Sequence, residues 1–237
     1  MAELTAENLE ALRQLDTCTV ANAIETFDVR PWNEGFMAPE IRSVFPGMGR
    51  MIGYAATAVI AADKPATTHM SVSRTDWFDE VVAVPGPRVA VIHDLDYPNP
   101  IGSFWGEVQS NVHKRLGCVG TVTDGGVRDV DEMTNAGFKA ISRGLSVGHA
   151  HLCPMRWNVG VNVFGKRVQP NDLIHADKHG FIILPADDQP GLLDALKFMD
   201  DNECETVIPG ARQTFGLHAN EILAQFNTAR EQFAQNT

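Results

Sequence analysis

The stretch Gly117-Cys118-Val119-Gly120-Thr121-Val122-Thr123-Asp124-Gly125-Gly126-Val127-Arg128-Asp129 decides how this chain is read. Val119–Thr123 has the apolar content and glycine-bounded length of a short buried strand. The polar cluster Thr123–Asp129 follows it directly and opens a short helix, Val130–Ala136, which Gly137 closes. Upstream, Glu107–Arg115 reads as a helix with Val108, Val112 and Leu116 on one stripe. That helix leads into the strand, so its N-terminus and the strand's C-terminus share one edge of a sheet. Gly106-Glu107 and Arg128-Asp129 therefore meet despite their 22-residue separation. In open α/β sheets this carboxyl edge is where ligands bind. The amides of Gly106–Gln109 (with Glu107 and Val108 between) offer an anion site strengthened by the helix dipole. Arg128 adds a two-pronged donor for a carboxylate or oxyanion, and Asp129 can hold a hard divalent cation whose shell is completed by water. The alternative is a mere helix-start ion pair between Arg128 and Asp129, and spacing alone leaves both readings open.

Working outward, helix and strand alternate through the first 140 residues. Thr5 caps a first helix with Leu9, Leu12 and Leu15 apolar; Thr19–Phe27 forms a second, with Val20, Ala23, Ile24 and Phe27 at helical spacing. Residues 31–50 hold Pro31, Pro39 and Pro46 and read as irregular. Strands are expected at Tyr54–Ala61, Arg88–His93 and Phe138–Ser142, with a helix within 65–82 ending before Pro85-Gly86-Pro87. Beyond residue 158 strands dominate: Val159, Val161 and Val163 alternate, and Leu173–Ala176 and Phe181–Leu184 flank a Lys178-His179-Gly180 turn. From Asp188 the pattern is mainly helical. The expectation is one mixed α/β layered domain over 1–237, with N-terminal helices in about 5–27 and a helical C-terminal segment in about 188–235.

Composition narrows the function classes. The 237 residues carry 30 Asp and Glu against 19 Lys and Arg, a formal net charge of −11. Such a balance argues against a nucleic-acid or anionic-membrane surface, and requires any anionic substrate to be captured by local positive features. Cys18, Cys118, Cys153 and Cys204 form no CxxC pair, so they read as reduced cysteines of an intracellular protein. The N-terminal stretch lacks a signal peptide's basic start and apolar run, and Ala55–Ala62 is far short of the ~20 residues that span a bilayer. The chain reads as soluble and cytoplasmic.

Gly106-Glu107 together with Gly117–Asp129 resembles the signature of the RraA-like family, and the similarity extends to Thr19–Phe27, Pro85–His93 and Asn171-Asp172…Asp177…Gly180…Pro185. That family includes metal-dependent 4-hydroxy-4-methyl-2-oxoglutarate aldolases that also decarboxylate oxaloacetate. The resemblance implies a swivelling β/β/α domain assembled as a homotrimer or a dimer of trimers. It implies that Asp129 ligates Mg²⁺ or Mn²⁺ and that Arg128 contacts substrate. The amides of Gly106, Glu107, Val108 and Gln109 would hold the pyruvyl carboxylate, and Glu107 would act through a water on the metal. The aldolases also borrow a glutamate from a neighbouring subunit's C-terminal region, for which Glu203 and Glu205 are the candidates. The chain departs from the family at Asn22, where Asp is frequent, and in the bulk of Lys178-His179. The implied activity is a class II lyase cleaving a pyruvyl-containing 2-oxo acid; the alternative within the family is a non-catalytic regulator that binds a ribonuclease. An older methyltransferase label for the family finds no support, since Gly47-Met48-Gly49…Gly53 has the wrong spacing and leads into a strand.

Four further signals each have a plainer reading. Gly144-Leu145-Ser146-Val147-Gly148 matches the GxSxG of serine hydrolases, with Asp172 and His179 following in order. A nucleophile elbow must open into a helix, however, and His149-Ala150-His151-Leu152-Cys153-Pro154 follows instead. His149-x-His151 lacks a third zinc ligand at any recognisable spacing, so surface or supporting histidines are expected. His93-Asp94-x-Asp96 ends an apolar strand and reads as a solvated loop at the same carboxyl edge, able to wall a pocket. Phe104 and Trp105 suit either pocket lining or core packing.

Overall fold

The computed structural model describes residues 4–27, 31, 33–37, 42–65, 73–186, 189, 191–213 and 218–236. In chain order come helices α1 (Ala6–Arg13) and α2 (Thr17–Glu25), then β1 (Arg42–Ser43), β2 (Met51–Ala61), α3 (Arg74–Ala83) and β3 (Arg88–Asp94). The central part holds β4 (Ser103–Trp105), α4 (Glu107–Arg115), β5 (Cys118–Val127), α5 (Val130–Ala136) and β6 (Lys139–Leu145). Strands β7 (Cys153–Trp157), β8 (Val161–Val163), β9 (Lys166–Val168), β10 (Leu173–Asp177) and β11 (Gly180–Leu184) follow. Helices α6 (Leu192–Glu205), α7 (Val207–Arg212) and α8 (Ala219–Asn236) complete the order.

The main sheet runs β1-β6-β5-β3-β2-β10-β11, with β4 added to β5 and β7 to β2. Strands β2, β3, β5 and β6 are mutually parallel. All four carboxyl ends therefore lie at one edge, where α/β sheets open their crevices. Because both faces of these strands are covered, they read as apolar runs rather than alternating ones: Val89, Ala90, Val91 and Ile92 are all fully buried. One face packs on α3, α4 and α5 through Trp77, Val81, Trp105, Met133 and Phe138. The other face is covered by the antiparallel pair β8–β9 through Val161, Val163, Phe164 and Val168. The layers are thus a small β unit, a large mixed sheet and a helical layer, a mixed α/β fold as expected. At the β10–β11 end, Leu9, Leu12, Val20, Ile24, Leu192 and Leu196 form a third apolar cluster beneath α1, α2 and α6. Burying each such side chain contributes about 1.5–3 kcal/mol.

Polar ties fix these layers. The Arg88 guanidinium donates to the carbonyls of Val82, Val84 and Leu116, clamping the ends of α3 and α4 to β3. Buried His175 bonds Thr17 Oγ1 and the Leu12 carbonyl, and burial pushes its imidazole below its ordinary pKa. It joins β10 to the first two helices.

Several elements differ from the sequence reading. Strand β5 does not stop at Thr123 but continues to Val127, with a register shift between Thr123 and Gly126 that lets the polar residues stay in the ladder. Strands β4 and β7 were not expected, each being short or interrupted by proline. The helix expected within 65–82 is α3; residues 66–72 of that span, and Asp188, lie outside the described residues. On α4 the expected Val108–Val112–Leu116 stripe is not the core face. Val108 is 71% exposed, while Ser110 and His113 are buried. Ser110 Oγ returns its hydrogen to the Gly106 and Glu107 carbonyls. His113 fits the core because both ring nitrogens are satisfied. Trp77 Nε1–H can only donate, so His113 Nε2 accepts at 2.9 Å and Nδ1–H donates to the Gln109 carbonyl at 2.8 Å. Desolvation pushes this imidazole down to about 4, so it stays neutral.

Candidate active site

Residues Gly106, Glu107, Val108, Gln109, Arg128 and Asp129 line one cleft of about 240 Å³ at the carboxyl edge. The turn from β5 into α5 brings them together. Arg128 N–H bonds the Trp105 carbonyl at 3.0 Å, which closes the distance between β4 and the end of β5. Asp129 then adopts a left-handed backbone, φ 52° and ψ 50°, at the N-cap of α5. An L-residue other than Gly is uncommon there, and such strain concentrates at functional sites. The consequence is specific: the Asp129 carboxylate does not cap its own helix. Its Oδ2 instead accepts the Glu107 N–H at 3.1 Å, capping α4 across the cleft. Gly106 makes this possible, because a Cβ there would lie 2.5 Å from Asp129 Oδ2.

The first intrahelical bond of α4 runs from Ser110 N–H to the Gly106 carbonyl. The amides of Val108 and Gln109 precede it and have no acceptor within the helix, so they present donors at the positive end of the dipole. Arg128 is not a committed partner of Asp129. Its Nε stands 3.6 Å from Asp129 Oδ2, and its Nη1 reaches the Val147 carbonyl at 3.4 Å. Both side chains are about one-third exposed, 30% and 33%. A simple helix-start ion pair would not leave the guanidinium shared between two long contacts with a cleft in front of it.

Among the described residues no group of three or more His, Cys, Asp or Glu side chains is arranged to hold a metal ion. Two carboxylate residues line the cleft, exposed Glu107 and Asp129, and Asp129 keeps one oxygen not taken by Glu107 N–H. Such a donor set suits a hard cation that keeps most of its waters, and does not suit zinc. Glu203 and Glu205 lie in the last turn of α6 and do not line the cleft of their own chain.

The rival motifs do not assemble. Ser146 is followed by a loop and sends its hydroxyl to the Gly148 carbonyl, Asp172 accepts the Gln169 N–H, and His179 pairs with Asp177. His93-Asp94-x-Asp96 is corrected from a solvated loop to a hydrogen-bonded network in which Asp94 and Asp124 are buried and His93 and Asp96 half-buried. Asp124 accepts His93 Nδ1 at 2.7 Å and the Asp94 N–H at 2.7 Å, and Asp94 accepts the Asp96 N–H at 3.0 Å. Hydrogen bonding to Asp124 raises His93 above its ordinary pKa, while burial pushes Asp94 up to about 6. Phe104 lines the cleft and also packs in the core with Trp105. His149 and Leu152 complete the lining. His149 was expected at the surface or as a supporting residue; the signal for it was its place just past the carboxyl end of β6, on the edge that holds the cleft.

Fold and cleft together define an α/β layered protein with a crevice at the carboxyl edge of its sheet, lined by a helix start, carboxylates and a guanidinium. The chain belongs to the RraA-like family, whose Aldolase/RraA description matches residues 17–183. It is 25% identical to Protein DlpA of Legionella pneumophila over 180 residues, which cover 74% of this chain and 28% of DlpA. The chain spans less than half the length of the curated relatives it matches. Among solved structures, an uncharacterized protein from Pseudomonas syringae superposes with a TM-score of 0.71 at 22% identity, covering 98% of this chain and 97% of that one. RraAS2 of Streptomyces coelicolor, described as an unusual member of the RNase ES inhibitor RraA family, gives 0.65 at 21% identity over 86% and 96%. No helix among the described residues is long and apolar enough to cross a membrane.

Proposed function

We propose that the protein is a metal-dependent class II carbon–carbon lyase that releases pyruvate from a pyruvyl-containing 2-oxo acid of the 4-hydroxy-4-methyl-2-oxoglutarate or oxaloacetate type. The observation that carries this reading is the bond from Glu107 N–H to Asp129 Oδ2, with Arg128 beside it, in one cleft. It supports the reading because it gathers free helix-start amides, a carboxylate with a spare oxygen and a guanidinium around a space the size of a small acid. The amides of Val108 and Gln109 bind the substrate carboxylate. Asp129 is the residue that would hold Mg²⁺ or Mn²⁺, which when bound supplies a positive charge where the enolate's negative charge develops. Arg128 orients the departing portion and offsets its charge through paired N–H donors. Glu107, exposed at the cleft, exchanges protons through water. Assembly as a homotrimer or hexamer would let Glu203 or Glu205 of a neighbour complete the site.

The test is pyruvate release from oxaloacetate with Mg²⁺ or Mn²⁺. The expected result is metal-dependent turnover abolished by EDTA. No release at high protein concentration would favour a ribonuclease-binding regulator; the Streptomyces relative is described as an unusual member of an RNase ES inhibitor family.

A further inference from the structure

The third wall of the cleft is a loop; two histidines on it, His149 and His151, have no ring-nitrogen partner among the described residues, and of the two only His149 lines the cleft. Residues 146–152 are tied to the site along their length. Ser146 N–H bonds the Val127 carbonyl at 2.9 Å, Ser103 N–H the Gly148 carbonyl at 3.0 Å, and His151 N–H the Ala62 carbonyl at 3.0 Å. Arg128 adds its contact to the Val147 carbonyl. The chain reverses where Leu152 N–H bonds the His149 carbonyl at 3.2 Å and Ala150 takes φ 50°. The His149 carbonyl packs on Gly102, where a Cβ would lie 2.4 Å from it. With its backbone seated there, His149 lines the cleft with Phe104 and Leu152, and Glu107, Arg128 and Asp129 line the same space.

Ring nitrogens of His93, His113, His175 and His179 are engaged by Asp124, by Trp77 and Gln109, by Thr17 and Leu12, and by Asp177. His149 has no such partner among the described residues, and His151, two residues on, does not line the cleft. Of the remaining groups of the cleft, exposed Glu107 exchanges its protons through water rather than directly with carbon. Arg128 cannot be deprotonated, and one oxygen of Asp129 is held by the helix. Imidazole accepts and returns protons near neutrality better than any other side chain.

We propose that His149 is a catalytic residue of this cleft, relaying the proton to C3 of the pyruvyl fragment; the inference rests on the lyase reading above. With a 4-hydroxy-2-oxo acid, neutral imidazole takes the hydroxyl proton. The C3–C4 bond breaks, C4 becomes a carbonyl, and the electron pair passes into the enolate of pyruvate. Imidazolium then gives that proton to C3, so no proton is gained or lost. With oxaloacetate, CO₂ departs instead and C3 receives a proton from imidazolium, which exposed His149 recovers from water.

The experiment follows the pyruvate methyl protons by NMR in D₂O with Mg²⁺ saturating, alongside oxaloacetate turnover and pyruvate binding. The proteins are the parent, His149→Gln, His149→Ala and His151→Gln. For His149→Gln, methyl exchange and kcat should fall on the order of 10²-fold, with pyruvate affinity within about threefold of the parent. His151→Gln should match the parent, and added imidazole should restore part of the exchange in His149→Ala. Parent-like exchange in His149→Gln, or a loss confined to pyruvate affinity, overturns the relay. A parent that neither exchanges nor turns over with metal overturns the lyase reading, and the relay with it.

Discussion

Asp124 and Asp129 are five residues apart on one stretch of chain and end in opposite environments. Asp124 is fully buried, and both of its oxygens are occupied, by His93 Nδ1 and by the Asp94 N–H. Asp129 is one-third exposed in strained backbone, with one oxygen committed to Glu107 N–H. The first arrangement satisfies a buried charge, as stability requires. The second leaves hydrogen-bonding capacity facing a cleft, which stability alone does not require. The difference teaches that burial and free valence, more than residue type, separate supporting carboxylates from those available to a ligand.

The largest expected effect tests the cleft side. Arg128→Lys keeps the charge but loses the planar fork. If Arg128 offsets charge on the reacting substrate, kcat should fall on the order of 10²–10³-fold with little change in melting temperature. A rate within about threefold of the parent would make Arg128 a structural residue and blur the contrast.

On the buried side, Asp124→Asn keeps an acceptor for Asp94 N–H but removes the charge facing His93. A hydrogen bond to a charged group is worth about 1.5–3 kcal/mol, so the melting temperature should drop roughly 4–8 °C. Its pH dependence has a definite sign. His93 is raised above its ordinary value, so the ion pair stabilises fully below about pH 6.5 and is lost as pH rises through the folded value. The penalty of Asp124→Asn should therefore be larger at pH 6 than at pH 9. An equal penalty at both would show that His93 is not charged in the fold.

The smallest effect concerns Asp94, whose Oδ2 is buried without a hydrogen-bond partner among the described residues. Its carboxyl is pushed up to about 6, chiefly by burial, so stability falls as pH rises from about 4 through 6. Asp94→Asn removes that charge and should raise the melting temperature by a few degrees at pH 8, about 1 kcal/mol, with no gain at pH 4. A loss at pH 8 would mean the carboxylate has a partner in solution.

Much of this contrast was legible in the sequence, for reasons tied to particular residues. Helix Val130–Ala136 and its Gly137 cap were found at their observed bounds because capping and period agree there. The meeting of Gly106-Glu107 with Arg128-Asp129 followed from a helix feeding a parallel strand. The resemblance supplied the chemistry those residues would serve. What escaped was tertiary. His113 reads as a polar helix residue until Trp77, 36 residues away, satisfies its second nitrogen. Asp94 looked solvated because Asp124, which takes its N–H, comes from the neighbouring strand. His149 had only its place just past β6 as a signal, since the Gly102 contact that seats it joins two loops.

The most direct measurement is Mn²⁺ binding followed by water-proton relaxation in the parent, Asp129→Asn and Asp124→Asn, at a temperature where all three are folded. The account predicts that Asp129→Asn loses Mn²⁺ binding while keeping the parent's melting temperature within about 2 °C, and that Asp124→Asn binds Mn²⁺ within about threefold of the parent despite its lower melting temperature. Parent-like Mn²⁺ affinity in Asp129→Asn, or its loss in Asp124→Asn alone, would contradict it.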